Sequence, residues 1–153
     1  MRLRARKGNR GFSLVELTVV VILIGVLAAF GVPRFRDSVE RSKAAEAFNF
    51  LSAVRSAQER YHALKGQYAT SLAQLDIDLS TPTYFRVGRI TDGDGRGYEK
   101  IQTSWSLTLT RKGPSAGYGN YTVTFTQNGF LKDYRNRRSI AHPSRSSINP
   151  MAS

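Results

Sequence analysis

The chain has 153 residues, no cysteine, and 23 basic against 11 acidic residues, for a formal charge of +12. That length suggests one modest domain. The lack of thiols excludes a disulfide framework, a thiolate metal site and a cysteine nucleophile.

Arg2, Arg4, Arg6, Lys7 and Arg10 precede Gly11, and no acidic residue does. Removing residues 1–11 leaves +7, so much of the basicity reads as a topological signal that holds this leader in the cytoplasm. The margin is narrow, because Arg34, Arg36, Arg41 and Lys43 stand just past the other end of the apolar run that follows.

That run is uncharged from Leu17 to Val32. Counted from Phe12 it holds about 21 residues, roughly 30 Å of helix and enough to cross a bilayer. Its Val and Ile content would favour strands in water. In lipid every backbone polar group must be satisfied within the segment, so residues 12–33 are expected to be a transmembrane helix. Gly25 and Gly31 allow close approach of other helices, and Pro33 should bend the helix. Glu16 is the anomaly. A carboxylate inside such a segment costs a few kcal/mol unless partnered and is by default a functional hypothesis, against the plainer reading that Glu16 lies near the headgroups and is partly solvated.

Residues 34–66 change period. Ala44, Ala47, Phe48, Leu51, Val54, Ala57, Tyr61 and Leu64 recur at steps of mostly three and four, which puts them on one helix face. The same helix is expected to continue to about Lys65, on the order of 80 Å in all, with Gly66 as its stop. Its second half is amphipathic and needs a sheet to cover it.

Residues 67–134 are expected to form a connection and an antiparallel sheet of three to four strands. Thr70 or Ser71 can cap a short turn through Leu75. Tyr84–Ile90, Ser104–Thr110 and Tyr121–Thr126 read as strands, with Trp105, Leu107, Leu109, Tyr121, Val123 and Phe125 facing inward. Gln127-Asn128-Gly129 reads as a turn, and Phe130-Leu131 opens a last short strand. The outward faces are Ser and Thr, which suits a sheet with one wet side. The fold class is α+β. Residues 135–153, rich in Arg, Ser, Asn and Pro and without a period, are expected to be a mobile basic tail that buries little.

The basic leader, then Gly11-Phe12-Ser13-Leu14-Val15-Glu16-Leu17, then the apolar helix, resembles the signal of type IV prepilins and type II secretion pseudopilins. The resemblance is close through Pro33 and weaker beyond it. It implies that a prepilin peptidase cuts after Gly11, that Phe12 becomes the N-methylated first residue, that Glu16 takes part in subunit assembly and that Pro33 bends the helix. It also implies a filament built with further copies and with minor pilins, and an inner-membrane assembly platform and ATPase as partners. The precursor would be single-pass in a bacterial inner membrane, and the product an extracellular pilus or a periplasmic pseudopilus. Its uses in that family are adhesion, motility, DNA uptake or protein secretion. Many proteobacterial pilins carry a disulfide, which this chain lacks.

Two further motifs carry candidate chemistry. Asp92 and Asp94, with Gly97, fall at the first, third and sixth positions of a calcium-loop pattern, but position twelve is Thr103 where a bidentate Glu is expected. An ordinary glycine turn between strands fits the same residues. Lys132, Arg135, Arg137 and Arg138, with Arg145 and Tyr134 nearby, form a candidate nucleic-acid contact of the cation-plus-aromatic type, against the plainer reading of a solvated charge run. Some minor pilins bind DNA, so the resemblance bears on this too.

The only histidines are His62 and His142, and no nucleophile elbow, phosphate loop or metal-ligand cluster occurs. An enzyme is not expected. The rival to a filament subunit is an exported soluble binding module. In it Arg2–Arg10 and Leu17–Leu27 make a conventional signal, cleavage falls at Ala29-Phe30-Gly31, and Glu16 has no purpose.

Overall fold

The computed structural model describes residues 11–78, 80–93, 100–133 and 135–152. Helix α1 spans Leu14–Lys65 and is followed by a short 3-10 turn, Leu72–Gln74. Strands β1 (Phe85–Asp92), β2 (Trp105–Arg111), β3 (Thr122–Thr126) and β4 (Gly129–Phe130) come next, then a second 3-10 stretch, Pro143–Ile148. The chain divides into two compact units between Phe35 and Arg36.

In the first unit every described side chain is exposed. This helix is long and apolar enough to cross a membrane, and none of its most apolar window is buried within the chain. Phe12, Leu27 and Phe30 are each more than 70% exposed. Pro33 lies inside α1 and withholds one N–H from the helical ladder.

The second unit, Arg36–Ser153, is the head. Ala44, Ala47, Leu51 and Val54 of α1 are fully buried in one cluster with Trp105, Leu107, Leu109, Tyr121 and Val123. The apolar stripe therefore does what its period predicts through Ala57. It fades at the end: Leu64, expected on the buried face, is 82% exposed, while Gly66 adopts φ +71° and ends the helix. Gln58, in phase with Val54 and Tyr61, is buried because both ends of its amide pair with Ala69, donating to its carbonyl (3.0 Å) and accepting from its N–H (2.8 Å).

The sheet is a meander in the order β1-β2-β3-β4, antiparallel throughout. Leu109 sits between Val87 and Val123, and Leu107 between Ile90 and Phe125. On the other face hydroxyls pair across strands, Thr108 with Thr124 and Thr91 with Ser106, each at 2.8 Å. β1 bulges between Val87 and Ile90. There a Cβ on Gly88 would stand 2.6 Å from the Thr108 carbonyl oxygen, so the bulge admits only glycine. Ser71 caps the 3-10 turn and Gln74 completes a capping box with it.

The expectation of a tail that buries little, residues 135–153, is corrected. Ile140 and Ile148 are fully buried in the head's core, and Ala141 and Asn149 are buried as well. Thr122 donates to the Arg138 carbonyl (2.7 Å) and accepts from the Ile140 N–H (2.9 Å), so Ser139 extends the ladder beside β3. The Arg145 guanidinium donates to the Tyr118 carbonyl and to that of Arg137. Two isolated isoleucines carry no periodicity, and composition hides them. Ile148→Ala is expected to destabilise the head by about 2–5 kcal/mol. Thermal unfolding checks this; an unchanged melting temperature would restore the picture of a loose tail.

Candidate functional site

Two places set charge in apolar surroundings: the start of α1, and a buried cluster where the head begins.

Ser13 precedes the first turn of α1. Its hydroxyl accepts from the Val15 N–H (3.2 Å), and the Glu16 carboxylate accepts from the Ser13 N–H (2.9 Å). Ser13-Leu14-Val15-Glu16 is thus a capping box, in which each side chain satisfies a helix-end donor that would otherwise go unpaired. The Glu16 charge also stands at the positive end of the helix dipole. This local role was legible in the S-x-x-E spacing and is one the sequence reading missed. It satisfies one lone pair of one carboxylate oxygen, leaving acceptor capacity on both oxygens for a cationic partner. Gly11 and Phe12 lie just before the helix and are exposed, like every described residue of the first unit. Ala29, Phe30 and Gly31, the alternative cut, lie inside α1.

In the head, Glu40 and Arg111 are 1% and 2% exposed and form a bidentate pair. Nε of Arg111 donates to Oε1 at 2.5 Å and Nη2 to Oε2 at 3.1 Å. The Tyr121 hydroxyl donates to the same Oε1 at 2.9 Å, and Lys43 Nζ stands 3.8 Å from Oε2. The rest of the guanidinium satisfies carbonyls of Tyr84, Lys112 and Pro114. Burial pushes the Glu40 carboxyl up, but the hydrogen bonds from Arg111 and Tyr121 and the charges of Arg111 and Lys43 outweigh it. The carboxyl is held below its usual range. Burial beside that carboxylate pushes the Tyr121 phenol far up. Every group is satisfied and none is left open to a substrate, so the cluster is a lock between α1 and the sheet. Next to it, Tyr118 Oη donates to Asp37 (2.7 Å) and lies 2.8 Å from the Ser147 hydroxyl.

The other expected sites fare differently. Asp92 ends β1 with an exposed side chain, and Asp94 lies outside the described residues. Among the described residues no three His, Cys, Asp or Glu side chains gather as metal ligands. Lys132, Arg135, Arg137 and Arg138 are exposed, whereas Arg145 is engaged as described and Tyr134 lies outside the described residues. His62 stacks on Tyr68 (4.4 Å) with Nε2 at 3.1 Å from the Gln102 carbonyl, a packing role.

Residues 6–32 match the family model described as the prokaryotic N-terminal methylation motif. The fimbrial protein EcpC of Eikenella corrodens is 38% identical over 125 residues, covering 82% of this chain and 77% of that protein. The type IV major pilin protein PilA of Myxococcus xanthus is 44% identical over 61 residues, 40% of this chain and 28% of that protein. A fimbrial protein of Pseudomonas aeruginosa is 33% identical over 103 residues, 64% of this chain and 61% of that protein. No match to a solved structure was found.

Proposed function

The chain belongs to the type IV pilin family, as a structural subunit of a pilus filament and not an enzyme, and on that premise we propose how its first unit is processed and assembled. The observation that carries the proposal is an apolar helix exposed on all sides, with one carboxylate in its first turn.

Such a helix has two stable environments, lipid and a bundle of its own kind. The precursor uses the first, inserted with the leader and its five basic residues on the cytoplasmic side. A prepilin peptidase then cuts after Gly11, and Phe12 is methylated on its new amino group. In the filament the Glu16 carboxylate meets the positive amino group of Phe12 on a neighbouring subunit. In a dry core that attraction offsets much of the cost of burying both charges. A single fixed pair also sets the axial register of otherwise slippery apolar helices. An assembly platform and ATPase supply the work of moving subunits out of the bilayer. Minor pilins share the same helix and join the same filament.

The intact mass and first residue of the protein from sheared filaments test this. N-methyl-Phe12 is expected. A chain that starts near Val32 would mean conventional export and would remove the apolar spine from the mature protein.

A second reading is favoured by the exposure of Lys132, Arg135, Arg137 and Arg138: the subunit holds duplex DNA there. Deletion of the segment is no test, because Ile140 and Ile148 belong to the core. Replacing the three arginines by alanine should leave folding intact and abolish binding, and wild-type binding should fall steeply with salt. Binding that survives the substitution refutes the site.

A further inference from the structure

Charge in the head is sorted by position. Arg36, Arg41, Lys112, Arg137 and Arg138 are all exposed, and contacts within the head bring them to the end at which its part of α1 begins. Arg36 is the first residue of the head. Lys112 follows Arg111, which is locked to Glu40. The Arg138 carbonyl accepts from Thr122, beside Tyr121, whose hydroxyl reaches the same Glu40. Arg137 is tied through Arg145 to Tyr118, and Tyr118 to Asp37. Nearby acids do little to neutralise this end. Glu40 is buried against Arg111, Asp37 is half-buried under Tyr118, and half-buried Asp133 accepts from the Arg135 and Asn136 N–H groups. Glu46 accepts from the Thr83 and Tyr84 N–H groups.

The exposed carboxylates among the described residues of the head are Glu59, Asp76, Asp78 and Asp92. They lie elsewhere. Asp76 and Asp78 line the groove beside Ala53, Ser56 and Arg60 of α1, and Asp92 is at the far end of β1. From Arg41 to Ala53 is about 18 Å along a helix. The head therefore has a basic end, continuous in sequence with the membrane-length segment, and a mixed end away from it.

We propose that this basic end is a docking surface for anionic phospholipid headgroups, engaged while the subunit is held in the bilayer before assembly. The inference rests on the membrane-held precursor proposed above. Lipid is the occupant because the same chain that anchors in the bilayer leads directly into this end, so headgroup phosphates are the anions nearest to it. Basic residues beside a membrane segment draw anionic lipid, each by about fivefold in occupancy. Docking also compensates the exported side for carrying Arg36 and Arg41 against the orientation that the leader sets.

The test uses the full chain in nanodiscs. Since the chain has no cysteine, Ala116→Cys on the exposed 116–117 turn takes a single dye, and a lipid-borne quencher reports its approach to the surface. Adding about 30% phosphatidylglycerol to phosphatidylcholine should raise the docked-to-undocked ratio at least about tenfold, and salt near 0.5 M should reverse it. A dye at Ala63→Cys should not respond. Replacing Arg137 and Arg138 by glutamine should remove most of the lipid response. An unchanged ratio in an inserted chain overturns the docking surface while leaving the anchor intact. A chain that washes out of the nanodisc overturns the anchored reading instead. Equal quenching with and without phosphatidylglycerol, together with capture of added duplex DNA by the same arginines, assigns this end to nucleic acid.

Discussion

Glu40→Ala is expected to be among the most damaging single substitutions in the head. It leaves the Arg111 guanidinium buried, charged and short of two hydrogen bonds, and leaves the Tyr121 hydroxyl without its acceptor. Breaking a buried pair by removing one partner costs about 3–5 kcal/mol. For a unit of this size that lowers the melting temperature by roughly 10–20 °C. Glu40→Gln should cost less, since one amide oxygen can still accept from Arg111 and Tyr121. Arg111→Met should be no milder than Glu40→Ala, because it strands Glu40 and frees the Tyr84, Lys112 and Pro114 carbonyls together. Circular dichroism melts of the detergent-held proteins decide the order. A loss under about 1 kcal/mol for Glu40→Ala would mean that water reaches the pair.

The same cluster fixes the sign of an acid response. The Glu40 carboxyl is held below its ordinary value in the folded head. Its contribution is therefore fully present above the unfolded value of about 4.3 and is lost as pH falls through the lower folded value. Wild type should weaken on acidification below that point. Glu40→Gln should show a flatter profile over the same range.

Much of the architecture was legible because it repeats. The stripe on α1 and the alternation of Trp105, Leu107 and Leu109 carry period and type together, and burial follows them. The lock was readable by the same arithmetic. Glu40 is four residues before Ala44 and seven before Ala47, on the apolar stripe. Arg111 is the next inward position after Leu109, and Tyr121 is in phase with Val123. A charge in an apolar phase announces a buried partner. What period cannot supply is the pairing itself, since Glu40 and Arg111 are 71 residues apart in sequence. The last segment failed differently: Ile140 and Ile148 are fully buried by tertiary packing but stand eight residues apart with no period, and Arg- and Ser-rich neighbours mask them. At the other end, Glu16 stood out by its cost in an apolar run, which exposed its importance but not its local bond to the Ser13 N–H.

The local bond and the proposed intersubunit pair would give Glu16 two separable duties, and the expected result distinguishes them. As a capping residue it needs only an acceptor oxygen, which glutamine also supplies. As the partner of a neighbouring Phe12 amino group it needs a negative charge, which glutamine lacks. Loss of the cap costs about 0.5–2 kcal/mol at a helix end, too little to remove a membrane helix of this apolarity. Glu16→Ala and Glu16→Gln should therefore both insert into the membrane and both be processed. Loss of the ion pair instead leaves the Phe12 ammonium unmatched in the dry filament core, a penalty of several kcal/mol repeated at every subunit. Both variants should then be absent from sheared filaments, and Glu16→Asp, with its shorter reach, should incorporate poorly. Co-expression with wild type sharpens the comparison, because a neighbour's Glu16 can still serve the variant's amino group but the variant cannot return the contact. Incorporation below about a tenth of the wild-type share is expected from an unmatched charge of that size. If Glu16→Gln filaments form normally while Glu16→Ala filaments do not, the carboxylate acts through the helix start and the intersubunit pair is wrong.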